Sequence, residues 1–494
     1  MVTAFTNRST AWRPSTSRTS GAASPSATSI LWVSRRLPSP ASSPSAPDPE
    51  THHLLYLNNG PDDEGHFSFT QVAAAAGVST STPTVSDAFG ACFGDYDLDG
   101  DLDLVISGWM AGSTGNRLFR NDGVGPDGIP HFTDVTSAAI PIDLTSTHGF
   151  SPRLVDTDGD LYPELLWAAD FRTSKYFINN HDGTFTNYTT ESGTALDLNG
   201  MGSAIGDVNN DGVLDWYVTS IQAAGIGNML YVGQGDHHFV ESSHDAGVWQ
   251  DDWGWGAVIV DLDLDADSDI IATNGWSTPV GRTRVFVNNA DMTFTESSAA
   301  VGINHVTQGR GVVTLDIDND GDEDVLLTSN HSPAVLYRNK AIDDVEGAHN
   351  AWLRVVLDTS ADPRSAPDGF GARIEATTGA LTQTRWMSVG SNYLSQSELT
   401  AHFGLAEATT IDTLRVVWNT GLTTTLHDVG VNQTITVHAC PADFTGDGVL
   451  DFDDVLGFMI SFAGADRRAD LNPDDAYDFL DVFAFLVAFG EGCP

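Results

Sequence analysis

Short apolar runs alternate with acidic loops along most of this chain, in a unit that recurs five times. Each unit opens with a run rich in small residues, passes through a loop crowded with aspartates, and continues into an apolar run such as residues 104–106 or 325–327. Two more strand-like runs follow, at 118–121 and 131–134 in the first unit. Short apolar runs bounded by turn residues are typical of strands buried on both faces. The pattern predicts a four-stranded β unit of roughly 50–60 residues, the size of a propeller blade.

Small residues recur at two positions of each first strand, seven and five places before the first aspartate of the loop. They are Ala88 and Gly90, Gly149 and Ser151, Gly200 and Gly202, Gly254 and Gly256, and Gly309 and Gly311. Alternate positions of a strand share one face, so each of these strands should present a nearly bare face. Bare faces let backbones crowd together, as the innermost strands of a propeller must around its axis.

Oxygen atoms recur in a fixed register within the five acidic loops, which begin 51 to 61 residues apart. Side-chain oxygens stand at loop positions 1, 3, 5 and 9, and position 7 can offer its backbone carbonyl. The candidate ligands are Asp95, Asp97, Asp99, Asp101 and Asp103; Asp156, Asp158, Asp160, Tyr162 and Glu164; Asp207, Asn209, Asp211, Val213 and Asp215; Asp261, Asp263, Asp265, Asp267 and Asp269; and Asp316, Asp318, Asp320, Asp322 and Asp324. An oxygen-only, flexible cage suits Ca²⁺, whereas Mg²⁺ demands a stricter octahedron. Acidic surface turns are the alternative, since Asp, Asn and Gly are ordinary turn residues, but five loops in one register favour cation sites.

These loops and their flanking strands resemble FG-GAP/VCBS repeats, the calcium-loop blades also found in integrin-type propellers. The segment from Leu54 to Thr70 is similar to the second half of one more blade, so six blade fragments are visible between residues 51 and 341. The resemblance implies a mainly β protein whose propeller closes with six or seven blades.

A second domain is expected at residues 350–438, where the acidic loops stop and strand-like runs continue. Its blocks are Asp368-Gly369-Phe370-Gly371-Ala372, Ser391-Asn392-Tyr393-Leu394-Ser395-Gln396 and His402-Phe403-Gly404-Leu405. They resemble the ASPIC/UnbV domain, which implies a small β-rich module. Ser391 and His402 could act as nucleophile and base, but no G-x-S-x-G elbow surrounds the serine, so a structural role is expected.

Two further acidic loops occupy residues 440–494, and each leads into an apolar helix. Their candidate ligands are Asp443, Thr445, Asp447, Val449, Asp451 and Asp454, and Asp470, Asn472, Asp474, Ala476, Asp478 and Asp481. This α-helical module of paired calcium loops, of EF-hand type, resembles a type I dockerin and brings the expected total to about seven Ca²⁺.

The module departs from dockerins that bind cohesins at loop positions 10 and 11. These dockerins usually carry Ser or Thr there, whereas this chain has Phe452 and Asp453 in one loop and Phe479 and Leu480 in the other. We therefore expect a surface-attachment or assembly tail rather than a cohesin ligand, with a purely structural calcium clip as the alternative.

The three cysteines predict one disulfide. Cys440 and Cys493 frame the small C-terminal module, where a clasp joining the ends is physically sensible if the protein is exported. Cys92 lies in a strand of small residues and is expected to be buried and unpaired.

Charge and composition exclude several classes of partner. The 494 residues carry 67 acids against 22 basic residues, for a net charge of −45. Nucleic acids and anionic membranes both require basic patches, so neither is expected as a partner. No apolar stretch is long enough to predict a transmembrane segment. Residues 1–50 are rich in Ser, Thr, Pro and Arg, and we expect them to be disordered or to result from a misread start.

Two functions remain open at this stage. The first is an exported, non-catalytic calcium-binding protein that acts in adhesion, matrix or carbohydrate binding, or surface assembly, with an extracellular protein or glycan as ligand. The second is a secreted lyase or hydrolase that uses a propeller cleft to act on polysaccharide. His-Glu-x-x-His, Walker and dinucleotide motifs are absent from the sequence, which favours the first. Trp249, Trp253 and Trp255 could form a sugar-stacking face, although aromatic packing between blades is the more common role.

Overall fold

The fold is described from a computed structural model. It describes residues 54–62, 64–79, 89–109, 115–222, 225–249, 253–276, 281–342, 350–388, 392–474 and 476–493, together with the backbone alone of 3–5 and 30–33. Within these ranges the protein is mainly β, with many small antiparallel sheets and four short helices.

Five sheets follow the five predicted units, and four of them are built entirely from strands that are consecutive in the chain. The first contains β5 (Ala91–Gly94), β6 (Asp103–Ile106), β7 (Arg117–Val124) and β8 (Pro130–Asp134). The second contains β9 (His148–Val155), β10 (Glu164–Asp170), β11 (Lys175–Asn179) and β12 (Phe185–Asn187). The third contains β13 (Gly200–Gly206), β14 (Asp215–Ser220), β15 (Met229–Gly233) and β16 (Phe239–Glu241). The fourth contains β17 (Gly254–Val260), β18 (Asp269–Asn274), β19 (Arg284–Asn288) and β20 (Phe294–Glu296), and the fifth β21 (Gln308–Leu315), β22 (Asp324–Asn330) and β23 (Ser332–Arg338).

The N-terminal segment contributes two strands to this arrangement. β1 (Thr3–Phe5) pairs with β23 as the fourth strand of the fifth sheet. β2 (Ile30–Val33) pairs with β3 (Leu54–Pro61), which pairs in turn with β4 (Phe67–Gln71), so the predicted half-blade has three strands. The rest of the segment that we expected to be disordered lies outside the described residues.

Both faces of the central strands are buried, as their continuous apolar character predicts. In β10, Leu165 and Trp167 pack toward the first sheet, whereas Leu166 packs toward the third. Similar apolar clusters fill every space between consecutive sheets, from the sheet of β3 and β4 to the sheet of β21 to β23. We call these six sheets the array. The predicted four-stranded unit is confirmed in the first four repeats, the fifth repeat supplies three strands of its own, and a ring closed by six or seven such units stays a prediction.

The second domain packs two sheets around a core of its own. One contains β24 (Trp352–Asp358), β27 (Ala401–Gly404) and β30 (Gln433–His438), and the other β25 (Arg373–Thr378), β26 (Leu381–Trp386), β28 (Thr410–Val417) and β29 (Thr423–Gly430). Phe403, Leu414 and Trp418 lie in this core and are almost completely buried.

A helical tail ends the chain. It contains α3 (Phe452–Ala463) and α4 (Phe479–Glu491), and two one-turn helices, α1 (Thr136–Ala139) and α2 (Ser243–Ala246), occur in the array. Within the described ranges no helix is long and apolar enough to cross a membrane.

The tail is held by helix caps and one disulfide. Each long helix begins at a capping box, Asp451 with Asp454 and Asp478 with Asp481, which satisfies the first backbone N–H groups of the helix. The predicted disulfide between Cys440 and Cys493 is confirmed, and Cys92 is buried and unpaired, as predicted.

Candidate functional site

The acidic loops lie between the first and second strands of the five sheets, and the position 1 carboxylate organises each turn. In the fourth loop, Asp261 accepts hydrogen bonds from the backbone N–H groups of Asp265 (3.2 Å) and Ala266 (2.9 Å). In each of the other four loops, the position 1 carboxylate likewise accepts a hydrogen bond from the backbone N–H of the residue five places later. Positions 4 and 6 adopt left-handed backbone conformations even where they are not glycine, as at Leu98 and Leu161.

This turn brings the position 1, 3 and 5 side chains together. Their carboxylate oxygens lie within 4.8 Å of one another in four loops, at Asp95, Asp97 and Asp99; Asp156, Asp158 and Asp160; Asp261, Asp263 and Asp265; and Asp316, Asp318 and Asp320. In the third loop Asn209 Nδ2 donates to Asp211 Oδ2 at 2.8 Å, beside Asp207. The position 7 backbone N–H groups donate to the position 5 carboxylates, at Asp101, Tyr162, Val213, Asp267 and Asp322.

Position 9 has a different environment from positions 1, 3 and 5. Both oxygens of Asp103 accept backbone hydrogen bonds, one from Tyr96 (2.9 Å) within the loop and one from Asn121 (2.8 Å) on the third strand. The same pair of bonds is made by Asp215, Asp269 and Asp324. These four position 9 carboxylates therefore join their loops to the third strands of their sheets. Glu164 accepts from Thr157 and lies near Asp158 and His237.

The electrostatics of the loops fit a bound dication. Burial, with repulsion from neighbouring aspartates, raises the pKa of Asp95 to about 8 and that of Asp261 to about 8. Oδ1 of Asp95 and Oδ1 of Asp97 are buried without any hydrogen-bond partner, as is Oδ2 of Asp320. Unpaired carboxylate oxygens in a buried cluster are costly, and a hard cation is the ligand that satisfies several of them at once.

Basic side chains lie against carboxylates of the second and fifth loops. Arg338 forms an ion pair with Asp318 (2.6 Å), and Arg354 with Asp316 (3.2 Å). In the second loop, His181 lies 2.6 Å from Asp160. The two arginines offset part of the negative charge of the fifth loop.

Three asparagines at the ends of third strands link neighbouring sheets, a role that the sequence did not suggest to us. Asn288 Nδ2 donates to the carbonyl of Ser268 in its own loop and to the carbonyl of Val208 in the loop of the preceding sheet. Asn179 and Asn339 make the same bond to the preceding loop. Recurrence of Asn at this place in the repeat was the available signal, but the acceptors are 77 to 83 residues away in sequence.

The second domain lies on the face that the acidic loops form, which we call the loop face. Asn419 Nδ2 donates to Asp95 Oδ2 (3.0 Å), and the backbone N–H of Ala406 donates to the carbonyl of Leu264 (2.9 Å). The ring of Trp352 lies over Gly321, where any Cβ would collide with it. From the tail, Arg467 reaches the carbonyl of Leu98 (2.8 Å). Three candidate cation loops, the first, fourth and fifth, are therefore held against the second domain and the tail.

His402 takes part in the contact between the second domain and the fifth acidic loop. Its Nε2 lies 2.9 Å from the carbonyl oxygen of Gly321, and burial lowers its pKa to about 4. Ser391 lies outside the described residues. The geometry of His402 supports the structural role expected for it.

One segment of the second domain, residues 392–398, reaches the first strands of the array. Tyr393 is buried, with its ring centre 5.8 Å from that of Phe150 and 4.9 Å from that of Trp255. Asn392 accepts from Arg153 of β9 and donates to the carbonyl of Val312 of β21 (both 3.3 Å). A single side chain thus bridges the second and fifth sheets.

Aromatic rings gather at the opposite end of the array, where the second strands end; we call this the aromatic end. Trp253 and Trp276 stack with ring centres 5.2 Å apart and planes 15° apart, and Arg310 lies over Trp255 at 4.1 Å. Trp276 is 41% exposed and Phe171 55% exposed. The predicted group of three tryptophans is divided, because Trp249 stacks on His244 instead. Trp276 escaped sequence analysis because nothing in its local pattern marks it.

The tail carries its own two loops and an exposed apolar surface. Asp443 accepts from the backbone of Gly446 and Gly448, and Asp454 accepts from Thr445 and Asp451. Asp447 accepts from Val449, Asp474 from Ala476, Asp481 from Asn472 and Asp478, and Asp470 from Asp474. The exposed apolar side chains are Phe452, Leu456, Met459 and Ile460 on α3 and Phe479, Leu480, Phe483, Leu486 and Val487 on α4.

Comparison with known proteins identifies two kinds of family match. FG-GAP-like repeats match residues 95–167, 156–218 and 261–327, and an ASPIC and UnbV model matches residues 362–442. Cartilage acidic protein 1 of Homo sapiens is 26% identical over 349 residues, which cover 65% of this chain and 49% of that protein. The Xenopus tropicalis protein of the same name is 28% identical over 165 residues, 32% of this chain and 24% of that one.

The chain thus spans about half the length of its human relative, or less for the frog protein. Among solved structures, the Vibrio cholerae biofilm matrix protein Bap1 aligns with a TM-score of 0.31 at 11% identity, over 71% of this chain and 61% of that one. This chain carries FG-GAP-like repeats followed by an ASPIC and UnbV domain.

Proposed function

We propose that this protein is a secreted, non-catalytic binding protein that acts in adhesion or matrix assembly and is stabilised by calcium. Its FG-GAP-like repeats and its similarity to cartilage acidic protein 1 fit an extracellular adhesion role. The disulfide of the tail suits an oxidising compartment.

The observation that carries the proposal is that one end of the array is covered by the second domain, whereas the other end exposes aromatic side chains. The second domain covers the loop face. There Asp103 and Asp261 accept hydrogen bonds from backbone N–H groups, and Asp95 accepts one from Asn419 of the second domain. At the other end, Trp276 and Phe171 remain exposed on a braced aromatic network. Exposed aromatic groups of this kind mark binding surfaces, so the aromatic end is the proposed ligand surface. A glycan or an extracellular protein is the expected ligand.

Calcium is proposed to serve the fold. Five ions would lie in the array loops and two in the tail, where each would bind side-chain oxygens at positions 1, 3 and 5. An ion enclosed by several side chains and covered by a second domain has little coordination left for a reacting molecule, unlike an open catalytic site.

The tail is proposed to attach the protein to a larger assembly. Nine apolar side chains of α3 and α4 face solvent, and eight of them occupy equivalent positions of the two helices. So many exposed apolar side chains are uncommon on a protein without a partner. Calcium in the two loops would keep both helices in register.

The test is binding of the purified protein to immobilised polysaccharides and matrix proteins, with product analysis on the same polysaccharides. We expect binding without product, and weaker binding by Trp276→Ala. Phe67→Ala serves as the control, because Phe67 is 60% exposed on a different sheet. Release of shortened or unsaturated sugars by the wild type would favour the lyase or hydrolase instead.

A further inference from the structure

Arg153 is the exceptional residue among the first strands of the array. It stands three places before the first aspartate of its loop, where the other four repeats have Cys92, Ala204, Val258 and Val313. Only the second repeat therefore places a charge at this position. The side chain is 4% exposed.

The guanidinium of Arg153 is not compensated by a carboxylate. Its Nη2 donates to the carbonyl of Ser203 (2.6 Å) and to Asn392 Oδ1 (3.3 Å), and its Nε has no hydrogen-bond partner. Among the described residues, no acid lies within ion-pair distance of it. Burial lowers the pKa of Arg153 to about 10, and the charge persists at neutral pH.

Arg153 lines a cavity of about 160 Å³ between the first strands of the array and residues 385–402 of the second domain. One water occupies roughly 30 Å³ of liquid, so the cavity has room for a small anion and a few waters. Arg385 also lines it, is partly buried, and donates to the carbonyls of His402 (2.9 Å) and Thr384 (3.0 Å).

The acids on the cavity wall have other partners. Glu398 pairs with Arg354. Asp261 belongs to the fourth cation loop and accepts from its backbone. Glu323 is buried, near Glu398 and Arg354. None of the three pairs with Arg153.

A buried, uncompensated guanidinium is costly, and an anion that forms charge-assisted hydrogen bonds with it removes that cost. We propose that this cavity is a binding site for one small anion, held by Arg153 and enclosed by the second domain. The anion would join β9 to the 392–398 segment and so stabilise the contact between the two domains. The inference is independent of the ligand proposed for the aromatic end.

The direct test is crystallography of the wild-type protein grown in sodium bromide, with data collected at the bromine absorption edge. We expect an anomalous peak within hydrogen-bond distance of the Arg153 guanidinium, and no such peak in crystals of Arg153→Met. Density for water alone at that place, with bromide seen elsewhere on the surface, would overturn the proposal.

A solution test separates the site from general salt effects. We expect Tm of the wild type to rise by about 2–4 °C as sodium chloride or sodium sulfate replaces gluconate, a larger anion, at constant ionic strength. Arg153→Lys should show a reduced rise and Arg153→Met none. Arg415→Met is the matched control, because it removes a half-exposed cation of the second domain and should keep the full rise.

The two salts distinguish a halide from an oxyanion as the preferred occupant. An equal rise in Arg153→Met and in the wild type would show that the effect is not local and would refute the site. If Arg153→Met does not fold, the bromide crystals of the wild type and the Arg153→Lys titration still decide the matter.

Discussion

At the level of single residues, the loop carboxylates divide into two kinds. The position 9 aspartates accept backbone hydrogen bonds with both carboxylate oxygens, as Asp103 does. Among those at positions 1, 3 and 5, Asp95, Asp97 and Asp320 have a buried oxygen without a hydrogen-bond partner. Oxygens without a partner gain most from a bound cation, so the two kinds should respond differently to mutation and to calcium.

We expect Asp95→Asn to change the sign of its effect with calcium. Oδ2 of Asp95 already accepts from Gly100 and Asn419, and an amide at this place removes a buried charge without losing that acceptor. In calcium-stripped protein the variant should therefore unfold at the same Tm as the wild type or higher. With calcium it should be less stable by about 1–3 kcal/mol, since a charged ligand is lost.

Thermal unfolding in both conditions checks this. Glu191→Gln, at an exposed position, should shift Tm in neither. Equal destabilisation of Asp95→Asn with and without calcium would show that the first loop does not bind the ion.

The stability of calcium-stripped protein should fall as pH rises from about 4 to about 8. The pKa of Asp95 and of Asp261 is raised from the usual 3.8 to about 8, chiefly by burial. In this window the folded state holds more protons than the unfolded state, so the free energy of unfolding decreases with increasing pH. Calcium takes the place of these protons. Tm measured at pH 5 and pH 8 should therefore drop in stripped protein and change much less with calcium, whereas identical slopes would contradict the mechanism.

At the level of loops and strands, residues outside the first β hairpin of a sheet hold its loop, as the fourth sheet shows. The position 9 carboxylate joins the loop to the third strand, and the asparagine at the end of that strand joins it to the preceding loop. The asparagines thus connect the first loop with the second, the third with the fourth and the fourth with the fifth, in addition to apolar packing between the sheets.

Asn288→Ala should destabilise the array by about 2–3 kcal/mol, because the buried carbonyls of Val208 and Ser268 both lose their donor. Asn289→Ala is the matched control, since this neighbour is exposed and bonds only to nearby threonines. Urea unfolding followed by tryptophan fluorescence gives the difference. A smaller effect for Asn288→Ala than for Asn289→Ala would mean that the link between loops is energetically unimportant.

The tail should depend on its disulfide. Cys440 and Cys493 are 53 residues apart and close a small core around Phe458 and Phe485. Replacing both cysteines with serine should lower the stability of the tail by about 2–4 kcal/mol while leaving the array intact. Limited proteolysis followed by mass mapping should show early cleavage between residues 440 and 494 only. Cleavage that begins in the array would indicate that the tail supports more than itself.

In the whole molecule, the second domain is part of the array's support. Residues 392–398 place Tyr393 among Phe150 and Trp255, and Asn392 bridges two sheets that are distant in sequence. The same domain covers the loop face, so calcium in the loops and the fold of the second domain should be coupled.

Tyr393→Ala should therefore destabilise the array, by about 3–5 kcal/mol, although it lies outside the repeats. Leu394→Ala is the control, because Leu394 is 41% exposed. Hydrogen exchange should show faster exchange in β9, β17 and β21 in the first variant alone. Unchanged exchange in these strands would mean that the segment fills space without supporting the sheets.

Much of this arrangement could be predicted from residue pattern because its causes are local. Continuous apolar runs are buried on both faces, so the runs that follow the acidic loops form strands in every repeat, as residues 104–106 and 325–327 do. Asp and Gly in a fixed register determine the turns of the loops. The FG-GAP-like repeats, the ASPIC and UnbV domain and the cysteine pairing followed from the same kind of signal.

The remainder depends on contacts between residues far apart in the chain, which no local pattern records. The sequence does not show that the position 9 carboxylate also accepts a hydrogen bond from the third strand, as Asp103 does from Asn121. Trp276 joins Trp253 only because two loops of one sheet meet. Arg153 is one charge in an apolar strand until Asn392, 239 residues later, is brought against it. The repeat and its turns result from backbone and side-chain preferences over a few residues. The covered loop face, the aromatic end and the cavity result from packing between elements, because only packing brings their residues together.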